Sequence, residues 1–167
     1  MTRTRERRTP YHRLGLWLTR RLPGVYVLRY LWTPLDRLAL RLTGGRRGLA
    51  PKAIPELLLT TTGRRSGERR STPVLFLEHG EGYAVVASNY GRRRHPGWSY
   101  NLQADPRASV QIGTLRREME ARPATPEEFE RLWPRFVEMW PGWKTYRRMT
   151  DRPFRMFVLE PRGPQRG

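Results

Sequence analysis

The feature that most constrains the fold is a change in the spacing of apolar residues near residue 56. Upstream of it, apolar residues recur every three or four positions, which is typical of amphipathic helices. Downstream of it, short apolar runs are separated by turns that contain glycine, which is typical of strands. Strands are therefore predicted at residues 56–61, 70–77, 83–88, 108–112, 116–122 and 154–159.

Helical signals interrupt these strands. Pro96 stands near the start of a segment with helical spacing, and Asp105 and Pro106 are expected to end it. Another helix is expected to begin after Thr125, because Pro126 follows directly and Glu128 stands three residues on, which is the pattern of a capping box.

The second helix is expected to run to residue 139, with a further turn or two at residues 143–149. The order of elements contains no βαβ alternation, which argues against a doubly wound nucleotide fold. A mainly β fold with helices, built as an antiparallel barrel of about six strands, is the better interpretation.

Three regions are predicted along the chain. Residues 1–48 form a basic, amphipathic, helical N-terminal segment, residues 49–162 form the barrel domain, and residues 163–167 are a tail. Arginines and aromatic residues are interleaved in the first region, as in helices that lie on an anionic membrane surface. Packing of these helices on the barrel, with solvated arginines, is the other interpretation, and the sequence favours neither.

The formal net charge is +18, and Lys52 and Lys144 are the only lysines. Residues 1–50 hold 12 basic and two acidic side chains, so they carry +10 of that charge. A field this strong attracts an anionic partner, which can be nucleic acid, anionic lipid or a polyanionic cofactor. Arginine forks suit phosphates and carboxylates in particular.

Several kinds of chemistry are excluded or find no support. The absence of cysteine excludes disulfides, iron–sulfur clusters and thiolate nucleophiles. His12, His79 and His95 lack the spacing of metal ligands, so no metal is expected. No nucleophile elbow is present, and no histidine has a carboxylate in a pattern that would orient it.

The glycines at 63 and 67 lack the lysine and hydroxyl pair of a phosphate loop. With no acid or base in evidence, the chemistry is expected to belong to a cofactor. The longest apolar run near the N-terminus, residues 22–28, is far shorter than the roughly 20 residues of a membrane span. No secretory signal is expected, and a cytoplasmic location, peripheral at the inner face of the membrane if the helices bind lipid, is compatible with the sequence.

A set of motifs in constant order carries a resemblance to a known family. These are Leu58-Leu59-Thr60-Thr61-Thr62-Gly63-Arg64-Arg65-Ser66-Gly67, Arg70 with Pro73 and Leu77, Val85-Val86-Ala87-Ser88-Asn89, His95-Pro96-Gly97-Trp98, Asn101-Leu102 and Asp105-Pro106. Together they resemble the deazaflavin-dependent nitroreductase and quinone reductase family over about residues 50–160. The resemblance implies a split β-barrel, similar to FMN-binding barrels, that holds coenzyme F420.

The resemblance also implies roles for particular residues. The phosphate and polyglutamate tail of the coenzyme would be held by Arg64, Arg65, Ser66 and Arg70, and Lys52 could add a contact. The strand beneath the ring would be Ser71, Thr72, Pro73, Val74 and Leu75. Backbone amides and a hydroxyl for the pyrimidine edge would come from Val86, Ala87, Ser88 and Asn89. The far side would be closed by Gly97, Trp98, Ser99, Tyr100 and Asn101.

The acceptor pocket of the family implies a second set of residues. Trp98, Trp140, Trp143 and Tyr146 would wall the acceptor, and Ser88 or Tyr146 would be the catalytic proton donor, with solvent as the alternative. Some relatives have lysine at the place of Asn89, tyrosine at that of Leu75, and tyrosines where Trp140 and Trp143 stand. Because tryptophan lacks the hydroxyl, a quinone is expected to be a better acceptor than a nitroaromatic compound.

Two other functions remain open on the residues alone. The charge and the mixture of arginine with aromatic residues are also typical of a nucleic-acid-binding barrel, although the family resemblance makes nucleic acid the less favoured partner. A split barrel that binds FMN would differ only in its ligand. Each of the three functions predicts tight binding of a different anionic ligand.

Overall fold

The computed structural model describes Leu35, Leu38 and residues 55–163. In chain order its elements are β1 (Glu56–Thr62), β2 (Arg69–His79), β3 (Gly82–Ala87), a short turn (Asn89–Gly91), α1 (Gly97–Ala104), β4 (Arg107–Ile112), β5 (Leu115–Pro123), α2 (Pro126–Met139), α3 (Gly142–Arg148) and β6 (Arg155–Pro161). Every predicted strand and helix within residues 55–163 is confirmed, with ends that shift by a few residues. The predicted N-terminal helices, the linker after them and Lys52 lie outside the described residues, apart from Leu35 and Leu38.

The strands close into an antiparallel barrel in the order β1, β2, β3, β6, β5, β4, so the predicted architecture is confirmed. Alternate residues of each strand point inward: Leu57 and Leu59 of β1 and Val85 of β3 are buried in the barrel core. Trp98 and Leu102 of α1 join this core, and the Trp98 ring meets Phe157 edge-on at 5.9 Å. The helix α1 therefore packs its apolar residues into the barrel interior.

A second core lies outside the barrel wall. The outward residues Ala84 and Val86 of β3 are covered by α2 and α3, which contribute Phe136, Trp143 and Tyr146. We call this set the aromatic cluster; its buried members are Ala84, Val86, Leu132, Phe136, Trp140, Trp143, Tyr146, Phe154 and Met156. Its ring pairs meet mostly edge-on, a geometry that favours aromatic packing.

The predicted capping box at the start of α2 is confirmed. Thr125 Oγ1 accepts a hydrogen bond from the Glu128 backbone N–H, and the Glu128 carboxylate accepts one from the Thr125 N–H. The fold gives Glu128 two further partners, because Arg122 donates to both of its oxygens and His79 Nε2 lies 3.2 Å away. The sequence shows no carboxylate in a neighbouring pattern that would orient a histidine, and the fold supplies one to His79 from Glu128, 49 residues away in the chain.

The barrel is splayed between β2 and β3. In the part of the chain that the structure describes, β3 pairs only with the second half of β2, from Phe76 opposite Val85 to His79 opposite Gly82. The first half of β2 pairs with β1 alone, from Leu75 opposite Glu56 to Arg69 opposite Thr62. Successive residues of a strand direct their backbone N–H and C=O groups to alternate sides. In this half of β2, the groups on the side of β3 are therefore not paired with β3.

Candidate functional site

Most of the predicted coenzyme-binding residues lie at one end of the barrel. In an antiparallel barrel, the end of β1 and the start of β2 lie beside the end of β3 and the start of β6. The turn between β1 and β2, the turn after β3, and the helix α1 therefore meet at this end. Spacing along the sequence places them up to 40 residues apart, so only the barrel topology brings them together.

The turn between β1 and β2, residues 63–70, is named here the arginine turn. It closes through two backbone hydrogen bonds of 2.7 Å each. The Gly63 N–H donates to the backbone oxygen of Glu68, and the Gly67 N–H donates to the backbone oxygen of Gly63. Gly67 has φ +69, a left-handed conformation that glycine adopts at little cost. Ser66 Oγ accepts from the Glu68 N–H at 3.3 Å, so this hydroxyl stabilises the turn itself.

The charged side chains of the arginine turn are exposed. Arg70 forms an ion pair with Glu68 at 3.1 Å, and both side chains are mostly in solvent, where such pairs contribute little. Among the described residues, no carboxylate lies within 4 Å of Arg64 or Arg65. No ion pair within residues 55–163 neutralises these two guanidinium groups, which fits an anionic ligand.

Asn101 of α1 fixes the arginine turn to the barrel. Its side-chain oxygen accepts from the Arg64 backbone N–H at 3.1 Å, and its nitrogen donates to Thr61 Oγ1 at 3.0 Å. Tyr100, next to it, has the Arg64 guanidinium 4.8 Å and the Arg155 guanidinium 5.0 Å from its ring centre, which are cation–π distances. The predicted residues Tyr100 and Asn101 thus lie beside the predicted Arg64.

The turn after β3 has an unusual backbone. Ser88 has φ −74 and ψ −36, whereas Asn89 has φ 48 and Tyr90 has φ 54, values in the left-handed region that non-glycine residues rarely adopt. A right-handed residue followed by a left-handed one directs successive N–H groups toward one side, a concavity that suits anions. Gly91 follows at φ +71, and a Cβ there would lie 2.5 Å from the backbone oxygen of Tyr146. Glycine therefore allows the turn to pack closely against α3.

Other predicted residues are placed in the protein interior. Trp98 packs in the barrel core, and Ser99 is fully buried with its hydroxyl donating to the Pro96 oxygen at 3.0 Å. Trp140, Trp143 and Tyr146 belong to the aromatic cluster. Burial raises the pKa of Tyr146 far above its ordinary value, and a hydrogen bond from Trp140 opposes the shift, so this phenol stays protonated.

The aromatic cluster reaches the turn after β3 through Tyr90, whose ring meets that of Tyr146 edge-on at 5.6 Å. The Trp143 indole N–H is buried, and no described residue accepts a hydrogen bond from it. A buried donor without a partner is costly, and such groups are rare in folded proteins. The predicted acceptor wall is therefore connected to the predicted ring site, although its members are packed against one another.

Sequence reasoning missed Arg152, which makes several hydrogen bonds to the loop after β3 at this end of the barrel. Its guanidinium donates to the backbone oxygens of Ala87 and Arg92, at 3.3 and 2.7 Å, and to that of Ser88. It also lies 2.9 Å from His95 Nδ1, which must accept because arginine only donates. No motif contains Arg152, so only the topology of β6 and β3 could have revealed it.

His95 is held in its neutral form. Burial, together with the charges of Arg152 and Arg155, lowers its pKa to about 4, against a hydrogen bond to the Ala87 backbone. Burial likewise lowers the pKa of Arg152; the Tyr100 phenol opposes this shift and the charge of Arg155 adds to it. Within residues 55–163, together with Leu35 and Leu38, no group of three potential metal ligands is found. The same residues contain no helix that is long and apolar enough to cross a bilayer.

The architecture defines the class of protein first. The closed six-stranded barrel with its helices is a split β-barrel similar to the FMN-binding kind. The haem storage protein HutZ of Vibrio cholerae has a related fold, with a TM-score of 0.50 and 18% identity over 78% of this chain and 92% of that protein. Identity at that level indicates a shared fold and nothing about the ligand.

The family follows from closer relatives. The profile of the F420H(2)-dependent quinone reductase family matches residues 35–161, and the chain belongs to that family. It is 36% identical over 150 residues to the F420H(2)-dependent quinone reductase Rv1261c of Mycobacterium tuberculosis, covering 87% of this chain and 97% of that protein. It is 39% identical to the structure of the F420-H2 dependent reductase FDR-A, with a TM-score of 0.58 over 64% of this chain and 94% of that one. The protein is thus an oxidoreductase whose cofactor is coenzyme F420.

The described residues fit this cofactor. Arg64 and Arg65, which have no ion pair among the described residues, stand at one side of the site for an anionic tail, and the left-handed turn after β3 lies at the other. Between them lies the half of β2 that β3 leaves unpaired. Of the alternatives that the sequence left open, the family supports F420 over FMN and over nucleic acid.

Proposed function

We propose that the protein transfers a hydride from reduced coenzyme F420 to a quinone, and that nitroaromatic compounds are poorer acceptors. The observation that carries the proposal is the meeting of the arginine turn and the left-handed turn after β3 at one end of the barrel, in a chain of this family. The bound coenzyme supplies the hydride, from carbon-5 of its ring, and the protein's contribution is binding and orientation.

The tail would bind to Arg64, Arg65 and Arg70. For Arg70 this means leaving its exposed ion pair with Glu68, which is a small loss because surface pairs contribute little. Ser66 is a weaker candidate, since its hydroxyl already accepts a hydrogen bond within the turn. A charged phosphate or carboxylate is a better partner for arginine than the solvent it replaces.

The ring would lie along the unpaired half of β2, on residues 71–75, with the N–H groups of Ser88 and Asn89 at its pyrimidine edge. Tyr100 and Asn101 would close the far side, and both are already held by contacts to Arg64. This arrangement needs no titrating side chain, in keeping with a reaction in which the protein supplies positioning and fixed donors. The proton for the acceptor would come from Ser88, from Tyr146 or from solvent.

The acceptor would bind beside the aromatic cluster, with Trp98, Trp140, Trp143 and Tyr146 nearest to it. A flat quinone gains stacking and apolar contact there, whereas the oxygens of a nitro group need donors that tryptophan rings supply poorly. The raised pKa of Tyr146 makes its phenol a poorer proton donor than an ordinary tyrosine.

Steady-state oxidation of reduced F420 with menadione and with a bicyclic nitroimidazole tests the proposal. The wild type should reduce menadione with the higher kcat/KM, and Trp140→Tyr with Trp143→Tyr should narrow the difference. Trp133→Tyr is the matched control, because Trp133 packs on the same cluster but is no predicted acceptor contact. Absence of quinone reduction by the wild type contradicts the function; an unchanged preference in the double variant contradicts the role of the two tryptophans.

A peripheral contact with anionic membrane is proposed as well, since a quinone resides in the bilayer. It is supported by Leu35 and Leu38, which are helical, one turn apart, and 54% and 52% exposed in a strongly basic region. Sedimentation with anionic vesicles should decrease in Leu35→Glu with Leu38→Glu. Leu115→Glu is the control, because Leu115 is 50% exposed on β5. Equal sedimentation of all three proteins would contradict this contact.

A further inference from the structure

Arg152 lies in the loop between α3 and β6, three residues before β6 begins, and behind the turn that follows β3. Its guanidinium contacts four acceptors in residues 87–95: the backbone oxygens of Ala87, Ser88 and Arg92, and the ring of His95. Its flat face lies 5.1 Å from the centre of the Phe154 ring, which supports it from the aromatic cluster. Five donors in a rigid fork allow arginine to hold several acceptors at once.

The two oxygens at Ala87 and Ser88 have a particular meaning. The Ala87 oxygen belongs to the peptide unit that contains the Ser88 N–H, and the Ser88 oxygen belongs to the unit that contains the Asn89 N–H. In a trans peptide, the C=O and N–H bonds point in opposite directions. Arg152 therefore binds the rear of the two peptide units whose N–H groups point away from it.

A cation on the carbonyl oxygen polarises the peptide unit, which strengthens its N–H as a donor. The left-handed conformation of Asn89 and Tyr90 is costly for non-glycine residues and persists only where surrounding contacts hold it. Arg152 provides such contacts, together with the Asn89 side chain, which donates to the Arg94 oxygen at 2.8 Å. The same guanidinium thus shapes the turn and polarises it.

Within residues 55–163, no ion pair neutralises the charge of Arg152. Among the described residues, no carboxylate lies within 4 Å of it, and the ionisable groups that act on it are the neutral His95, the Tyr100 phenol and the cation Arg155. Carbonyl oxygens are its acceptors instead. An arginine with only a structural role would gain nothing from an unpaired charge. Beside a site for an anionic ring, an unpaired positive charge attracts the ligand.

We propose that Arg152 is a positioning residue for coenzyme binding: it acts through the Ala87–Ser88 and Ser88–Asn89 peptide units and makes their N–H groups fixed, polarised donors for the pyrimidine edge. The inference rests on the proposed function, because it assigns a purpose to the same ring site. Arg152 itself does not touch the coenzyme. Its effect is exerted from the opposite side of the backbone.

The experiment compares full-length Arg152→Gln and Arg152→Lys with Arg147→Gln. Arg147 is the matched control, since its guanidinium also lies over the Phe154 ring, at 5.6 Å, but it has no hydrogen bond to the loop. Calorimetric titration with oxidised F420 should show binding weakened about tenfold or more in Arg152→Gln, since charge-assisted hydrogen bonds are lost. The affinity of Arg152→Lys should lie between those of wild type and Arg152→Gln, because lysine keeps the positive charge but lacks the several donors of the guanidinium group.

Two readouts separate positioning from general stability. Hydrogen exchange of the free proteins should be faster in residues 88–92 of Arg152→Gln and unchanged there in Arg147→Gln. Millimolar guanidinium ion should restore part of the affinity for F420 in Arg152→Gln, with no gain for wild type. If Arg152→Gln does not fold, the lysine variant is judged by the same titration and exchange measurements.

Affinity within twofold of wild type in the Arg152 variant, or equal losses in the Arg152 and Arg147 variants, would overturn the inference. Unchanged exchange in residues 88–92 would overturn it as well. Failure of the wild type to bind F420 would instead refute the proposed function, and the exchange measurement, made without coenzyme, would still report on the loop. The two failures are therefore distinguishable.

Discussion

The arginine turn and the aromatic cluster lie on two sides of the same candidate site and are built in opposite ways. The arginine turn is closed by two backbone hydrogen bonds and by Ser66, and its charged side chains stand in solvent. The aromatic cluster is almost fully buried, with Trp143 and Tyr146 each 4% exposed. Changes in the first region can therefore alter binding alone, whereas changes in the second alter stability before they alter chemistry.

The largest effect is expected in the aromatic cluster. Trp143→Ala should lower the free energy of unfolding by about 3–5 kcal/mol, because it leaves a large cavity among Phe136, Tyr146 and Trp133. Urea unfolding followed by circular dichroism measures this loss. Trp143→Phe is the control: it removes the unpaired indole N–H and keeps most of the ring, so its cost should be clearly smaller. Equal losses in both variants would contradict the packing argument.

An intermediate effect is expected in the arginine turn, in binding and not in stability. Arg64→Ala with Arg65→Ala should weaken the binding of F420 by roughly 1.5–3 kcal/mol for each charged partner lost, while the unfolding free energy stays within about 0.5 kcal/mol per exposed site. Titration calorimetry and urea unfolding on the same samples measure the two quantities.

Arg117→Ala is the matched control for the arginine turn, since Arg117 is an exposed arginine on β5, a strand outside this turn. It should leave both affinity and stability unchanged. If the double variant bound F420 as wild type does, the tail would not lie on this turn. If the Arg64→Ala, Arg65→Ala double variant lost as much unfolding free energy as Trp143→Ala, the contrast between the two regions would be contradicted.

The smallest effect concerns pH and the loop that joins the two regions. The pKa of His95 is about 4 in the folded protein against an ordinary value of 6.5, so the unfolded chain binds more protons between these values. Stability from neutral His95 is complete above pH 6.5 and decreases as the pH falls toward 4. The size of this loss is reduced by solvent, because His95 is only half-buried.

Unfolding measured at steps from pH 7 to pH 5 should show this decline, and His95→Gln, which keeps an acceptor for Arg152, should flatten it. Glu128 does not confuse the comparison. Hydrogen bonds from Arg122 hold its pKa at about 2, so its contribution to stability changes only below about pH 4.5, its ordinary pKa, outside the range that is measured. Identical pH profiles in the wild type and the variant would show that His95 is not the group responsible.

Much of the fold could be predicted because its signals are local. The alternation of Leu57, Leu59 and Thr61, and the capping box at Thr125 and Glu128, depend on residues a few positions apart, where strand and helix geometry set the contacts. The end of α1 at Asp105 is another local signal. Motifs that keep their order and spacing also led to the correct family, although they left individual roles as predictions.

What the sequence by itself determined is the list of elements, the choice of an antiparallel barrel and the presence of an arginine-rich turn, since periodicity and turn residues reflect local backbone preferences. Only the tertiary structure decided that Arg152 lies behind Ala87 and Ser88, that His79 meets Glu128, and that β2 pairs with β3 only from Phe76 onward. Closing a barrel joins residues more than 60 positions apart. Such contacts depend on how the strands close into a barrel, which no pattern of neighbouring residues encodes.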